Sequence, residues 1–130
     1  MIHYDDLIGI PFVNEGRSLE GFDCYGLAME VFRRSGIALP DLKVCCRDAE
    51  RIGKTFKEQR PMWVEHKVGN LPVPCLIGIK FNSVWCNHSG VYIGNGMFIH
   101  TREKIGVNVD EIDNPMWSKK IVGYYTPGRV

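Results

Sequence analysis

His88-Ser89-Gly90-Val91-Tyr92-Ile93-Gly94-Asn95-Gly96-Met97-Phe98-Ile99-His100 reads as two apolar runs folded back on each other around Gly94-Asn95-Gly96, the clearest hairpin signal in the chain. Two turns are open to it. If Asn95-Gly96 is a two-residue turn, Gly94 opposes Met97, His100 opposes Val91, and His88 lies on the other face from His100. If Gly94-Asn95-Gly96 is a three-residue loop with Gly96 as a left-handed bulge residue, Ile93 opposes Met97 and His100 opposes Gly90. The second register is the one expected here. One face then carries His88, Gly90, Tyr92, Phe98 and His100, and the other carries Ser89, Val91, Ile93, Met97, Ile99 and Thr101. The two histidines become diagonal neighbours roughly 7 to 8 Å apart at their alpha carbons, with no side chain on Gly90 to separate them.

Toward the N-terminus, Gly21-Phe22-Asp23-Cys24-Tyr25-Gly26-Leu27 places a cysteine at a helix start. Leu27, Ala28 and Val31 follow Cys24 at helical spacing, Arg33 and Arg34 come late, Gly36 lies just beyond, and Asp23 sits at the N-cap position. Residues 1–20 read as a short helical or irregular lead-in, with an exposed loop over Asn14 to Ser18. The charge-rich stretch 44–60 has a helical flavour and a solvated face. Beyond the prolines at 61, 72 and 74, extended segments are expected over Cys75 to Phe81 and Ser83 to Ile93, and a further strand pair over Gly106 to Val109 and Ile121 to Tyr125. Helices first and an antiparallel sheet afterwards is an α+β order.

Length and charge narrow the function. At 130 residues and 45% hydrophobic content the chain suits one domain, residues 1–130, with its own core. Sixteen basic against fifteen acidic residues leave a charge of +1, which gives a nucleic-acid backbone little to hold. No apolar run is long enough for a transmembrane segment, and Met1 to Asp6 has no signal-peptide pattern, so a soluble chain without an export signal is expected. Cysteines at 24, 45, 46, 75 and 86 form an odd set without disulfide or zinc-site spacing; neither a metal nor a cofactor is expected.

Cys24 is the chemical candidate, because helix-start N–H groups and the dipole favour its thiolate. Most unpaired cysteines simply pack as small hydrophobes, so a base is the second requirement. The candidates are His3, His66, His88 and His100. His3 and His66 are expected at the surface, whereas His88 with His100 behind it can serve Cys24. Such a set performs acyl transfer: His88 takes the thiol proton, the sulfur attacks a carbonyl, and water releases the acyl-enzyme. The Cys24 backbone N–H is the natural oxyanion donor. Cys86, two residues before His88, is either a second thiol on the same face or filler.

At these residues the sequence resembles the NlpC-like peptidases, papain-like cysteine endopeptidases of bacterial cell-wall peptides. The resemblance rests on Asp23-Cys24-Tyr25-Gly26-Leu27, on Gly36-Ile37-Ala38-Leu39-Pro40 and on the hairpin from His88 to His100, three motifs in order along most of the chain. It implies a papain-like α+β fold, with the nucleophile at a helix N-terminus packed on an antiparallel sheet. It also implies a Cys24, His88, His100 triad and a peptidoglycan stem peptide as substrate. Asp23, Tyr25, Phe12 and Ser89 are the positions expected to meet that substrate. Phe12 stands where the family usually has tyrosine, Tyr25 where serine commonly follows the nucleophile, and Leu76-Ile77-Gly78-Ile79-Lys80 lacks the aspartate of a Gly-Asp-Leu strand start. An aromatic after the cysteine is similar to stand-alone phage and prophage versions. That likeness implies phage tail or envelope partners and a virion component, made in the cytoplasm, that acts at the cell wall. The alternatives are an amidase or acyltransferase on another acyl substrate, and a non-enzymatic tail assembly module that keeps the fold.

Overall fold

The computed structural model describes residues 2–42 and 48–128. The expectations for Cys45, Cys46 and the start of the 44–60 stretch fall on or beside residues outside that range.

A small antiparallel hairpin, β1 (Arg17–Ser18) and β2 (Gly21–Phe22), delivers the chain to helix α1 (Cys24–Arg34). The expected exposed loop over Asn14 to Ser18 is therefore partly paired strand. The Asp23 side chain accepts the Gly26 N–H at 2.7 Å, satisfying one of the donors that a helix start leaves open. Gly26 is required by packing: a Cβ there would collide with the Gly16 carbonyl and lie 2.9 Å from the Arg17 guanidinium. A second helix, α2 (Ala49–Gln59), is capped by Asp48 and leads to β3 (Trp63–His66). There follow β4 (Cys75–Ile79), β5 (His88–Gly94), β6 (Met97–Arg102), β7 (Gly106–Glu111), the single-turn α3 (Pro115–Ser118) and β8 (Ile121–Pro127).

Six strands form an antiparallel sheet in the order β3-β8-β4-β5-β6-β7. The segments around 106–109 and 121–125 are both strands, but they do not pair with each other. The last strand runs between β3 and β4, and β7 closes the far edge on β6. Alternation along the strands builds two apolar layers. Leu76, Val91, Ile99 and Tyr125 meet Leu27, Ala28, Val31 and Phe32 of α1, while Cys75, Ile77, Ile79, Phe98 and Tyr124 meet Trp117 of α3 on the other face. Burying Phe32, fully enclosed, contributes about 2 to 3 kcal/mol by transfer from water. No helix among the described residues is long and apolar enough to cross a membrane.

The hairpin takes the two-residue turn, not the three-residue loop expected, yet keeps the histidine register that the loop was expected to give. Gly94 opposes Met97 across a two-residue Asn95-Gly96 turn, with both residues at positive φ, so the three-residue loop is not what forms. A bulge between Tyr92 and Gly94 then shifts the ladder, giving Tyr92 opposite Phe98 and Val91 opposite Ile99. One residue absorbed by the bulge replaces one residue of loop. The next step of that ladder sets Gly90 level with His100, the alignment that lets the histidines share a face.

The segment 83–87 is also not strand. Asn82 at φ +50° and the Asn87 side chain, which bonds both the N–H and the carbonyl of Phe81, curl it into a loop. Cys86 consequently leaves the His88 face: it is buried with its sulfur 3.0 Å from where a Cβ of Gly78 would lie, on the α1 side of the sheet.

Candidate active site

Cys24 opens α1, His88 opens β5, and the two line the same hollows beside the helix start. Helix α1 packs on the Val91 and Ile99 face, whereas His88 and His100 belong to the Phe98 and Trp117 face. The hollows that both residues line therefore lie around the start of β5, not across the sheet. Two hollows include both Cys24 and His88 in their walls. One, of about 90 Å³, is apolar and walled by Tyr25, Ile52, Phe56, Trp63, Leu76 and Tyr125. The other, of about 360 Å³, is more open and includes Phe12, Phe81, Asn87, Thr101, Arg102 and Glu103.

His88 Nε2 lies 2.9 Å from His100 Nδ1, and His100 Nε2 lies 2.7 Å from Asp110 Oδ2. Trp117 seals this chain on its inner side, stacked on His88 at 6.0 Å and edge-on to His100 at 4.7 Å between ring centroids. His100 is wholly buried and His88 nearly so. Burial, followed by the neighbouring His100 and Arg102, pushes His88 down from 6.5 to about 3. Burial lowers His100 as well, against the opposing pull of the Asp110 carboxylate. Both rings are neutral at pH 7.

The thiol departs from expectation in the opposite direction. Burial raises Cys24 above its ordinary value, and the Asp23 carboxylate raises it further; the Ser89 hydroxyl and the Ser89 and Tyr25 backbones offset this only in part. The helix start does not produce a resting thiolate, because the sulfur is withdrawn from water beside an acidic N-cap. Cys75 and Cys86 are also pushed up by burial, each to about 12.

The four residues expected to meet substrate separate. Asp23 is buried and committed: besides Gly26 it accepts Arg17 Nη1 at 2.7 Å. Arg17 in turn bonds Asp41. Ser89 points toward the helix side, its buried Oγ having no hydrogen bond of ordinary geometry and the thiol as its polar neighbour. Tyr25 walls the apolar hollow while its hydroxyl donates to the Pro40 carbonyl at 2.7 Å. Phe12, bridged to Phe22, walls the open hollow. Of the other histidines, His3 is exposed and His66 bonds Thr126 at 2.7 Å, remote from this chain.

Three residues at the site escaped the sequence reading. Asp110 lies one residue beyond the strand expected to end at Val109; alternation of Val107 and Val109 against Asn108 and Asp110 carries the signal to extend it. Trp117 lies in a four-residue helix with no periodicity to read. Arg102 sits over the Phe81 and Trp117 rings at 5.4 and 5.1 Å, its buried Nε without a partner, in the open hollow. Among the described residues no cluster of three or more His, Cys, Asp or Glu side chains is arranged to hold a metal ion.

The model of the NlpC/P60 family matches residues 9–126. The chain is 28% identical over 121 residues to the murein DD-endopeptidase MepS/murein LD-carboxypeptidase of Escherichia coli K12, covering 92% of this chain and 57% of that protein. It is 30% identical to the gamma-DL-glutamyl hydrolase of Bacillus subtilis, over 89% of this chain and 26% of that one. The chain thus spans little more than half the length of the first of these curated relatives. Among solved structures, an NlpC/P60 family protein from Bacillus cereus superimposes with a TM-score of 0.67 at 25% identity, covering 91% of this chain and 35% of that one.

Proposed function

The chain belongs to the NlpC/P60 family, with a papain-like domain, and from that membership and the site geometry we propose that it is a cysteine endopeptidase acting on peptidoglycan stem peptides. The observation that carries the proposal is the buried, hydrogen-bonded His88–His100 pair beside two hollows that Cys24 also lines. The relatives' names, a murein endopeptidase and a glutamyl hydrolase, support the substrate class.

In the proposed reaction His88 Nε2 is engaged by His100, which leaves Nδ1 for the thiol. As Sγ bonds to the scissile carbonyl carbon, the thiol proton passes to Nδ1. The carbonyl oxygen gains the negative charge, next to helix-start N–H groups that lack intrahelical acceptors. Collapse breaks the C–N bond, and the departing amine takes the proton from His88. Water, deprotonated by the same nitrogen, then hydrolyses the thioester and frees Cys24.

The test is digestion of purified peptidoglycan and of synthetic stem peptides, read by mass spectrometry. The wild-type chain releases fragments and Cys24→Ala releases none; fragments from Cys24→Ala would show that the nucleophile is misassigned. The apolar hollow beside Cys24, with Tyr25 in its wall, favours a second reading in which the acyl group is apolar. Turnover of long-chain acyl esters with stem peptides left intact would select it.

A further inference from the structure

The hydrogen-bond chain from His88 does not stop at His100. Pairing of β7 with β6 sets Asn108 opposite His100 and Asp110 opposite Phe98, so Asp110 stands on the diagonal from His100 on the same face. Its Oδ2 takes His100 Nε2 at 2.7 Å and the Asn108 Nδ2 donor at 3.1 Å. The Asp110 side chain is three-quarters buried, and the two donors hold its carboxylate against the ring.

We propose that Asp110 is a positioning residue that fixes the proton on each of the two histidines, so that His88 presents an unprotonated Nδ1 to the Cys24 thiol. The proposal rests on the reading of Cys24 as nucleophile and His88 as base. A carboxylate can only accept, so His100 must carry its proton on Nε2. A neutral imidazole has one N–H, which makes His100 Nδ1 an acceptor. His88 Nε2, 2.9 Å away, must then donate, and the one proton of neutral His88 is spent there. His88 Nδ1 is left bare. The reverse polarity would set a ring lone pair against a carboxylate in a buried site, a direct electrostatic penalty.

Among the described residues, the charged and titratable groups around the pair are Cys24 from α1, Arg102 beside both rings on β6, Asp110 from β7, and Glu103, which lines the open hollow with His88 but makes no hydrogen bond to either ring. Arg102 disfavours protonation of either ring and does not distinguish their nitrogens. Trp117 of α3, packed against both, is uncharged. Asp110 is therefore the group that sets the direction of the chain.

The experiment compares wild type with Asp110→Ala, Asp110→Asn and Asp110→Glu. Nitrogen-15 NMR of the imidazoles reads which nitrogen is protonated, and the acylation of Cys24 by p-nitrophenyl acetate, followed by phenolate release and intact mass across pH 5 to 9, reads the base. Wild type shows both histidines protonated at Nε2. Asp110→Ala redistributes the His100 proton to Nδ1 and slows acylation roughly 10- to 100-fold with half-saturation unchanged, the scale of losing an outer partner of a working imidazole. Asp110→Asn falls between, because its amide can present either an acceptor or a donor, and Asp110→Glu recovers part of the rate. Unaltered tautomers in Asp110→Ala overturn the proposal, as does unaltered acylation with altered tautomers. A wild type that acylates at Cys24 yet leaves stem peptides intact removes the peptidoglycan reading and leaves Asp110 standing. A wild type that does not acylate removes the nucleophile, and with it this role for Asp110.

Discussion

Keeping His88 neutral in the fold makes the protein sensitive to acid in a window set by that residue. An unfolded chain binds a proton at His88 as pH falls through about 6.5, whereas the folded chain resists until about 3. Between those values the unfolded state holds more protons, so stability is present above pH 6.5 and is lost as pH falls. Integrating from pH 7.5 to 5.0 at 1.36 kcal/mol per unit gives a loss of about 2 kcal/mol from His88 alone. His100, lowered in the same direction, adds to it. The carboxylates of Asp6 and Glu30, held low by arginines, enter only below this range. Urea denaturation of wild type and His88→Gln at both pH values isolates the term, since glutamine keeps a donor near the Nε2 position and does not titrate. Wild type should lose about 2 kcal/mol more than the variant between pH 7.5 and 5.0. Equal losses in the two proteins would refute the claim that the fold excludes the proton from His88.

Asp23→Asn should retain the cap on Gly26 through its amide oxygen while removing a charge that holds the Cys24 thiol up. Alkylation of Cys24 by iodoacetamide at pH 8 should therefore be faster in the variant, measured by intact mass, and a slower rate would mean that the Arg17 pair matters more than the charge on the sulfur. Gly90→Ala places a Cβ 2.8 Å from the Phe98 ring and 3.3 Å from the His100 Cβ, forcing β5 from β6. It should cost about 1 to 3 kcal/mol in denaturant titrations and lower acylation of Cys24 further than stability alone accounts for.

How much of this was legible depended on whether local rules or distant contacts decided each piece. Helix α1 was readable because Asp23, Cys24, Leu27, Ala28 and Val31 carry cap and period within nine residues. The face shared by His88 and His100 was readable too, but for a different cause than the turn expected. Asn95-Gly96 follows its own preference for a two-residue turn, and the compensating bulge at Ile93 leaves no local mark. The insertion of β8 between β3 and β4 joins segments roughly forty to sixty residues apart, and no short window contains it. Trp117 and Asp110 reach the site by the same route, through sheet order and strand register. The thiol was misjudged because helix position is a local property, whereas its burial and its acidic neighbour are set by how α1 seats on the sheet.

These shifts bear on when the proton moves in the proposed reaction. Forming a thiolate–imidazolium pair before substrate arrives means ionising a thiol that burial and the Asp23 carboxylate push up, and protonating a ring that burial pushes down to about 3. Both shifts disfavour the ion pair, so the neutral thiol and the neutral imidazole are the resting forms. Substrate changes the balance in two ways: it places a carbonyl whose developing charge the helix-start N–H groups stabilise, and it consumes the thiolate as the S–C bond forms. Proton transfer to His88 Nδ1 then accompanies attack instead of preceding it, and for that a ring held neutral with its bare nitrogen toward the sulfur serves better than an imidazolium already formed.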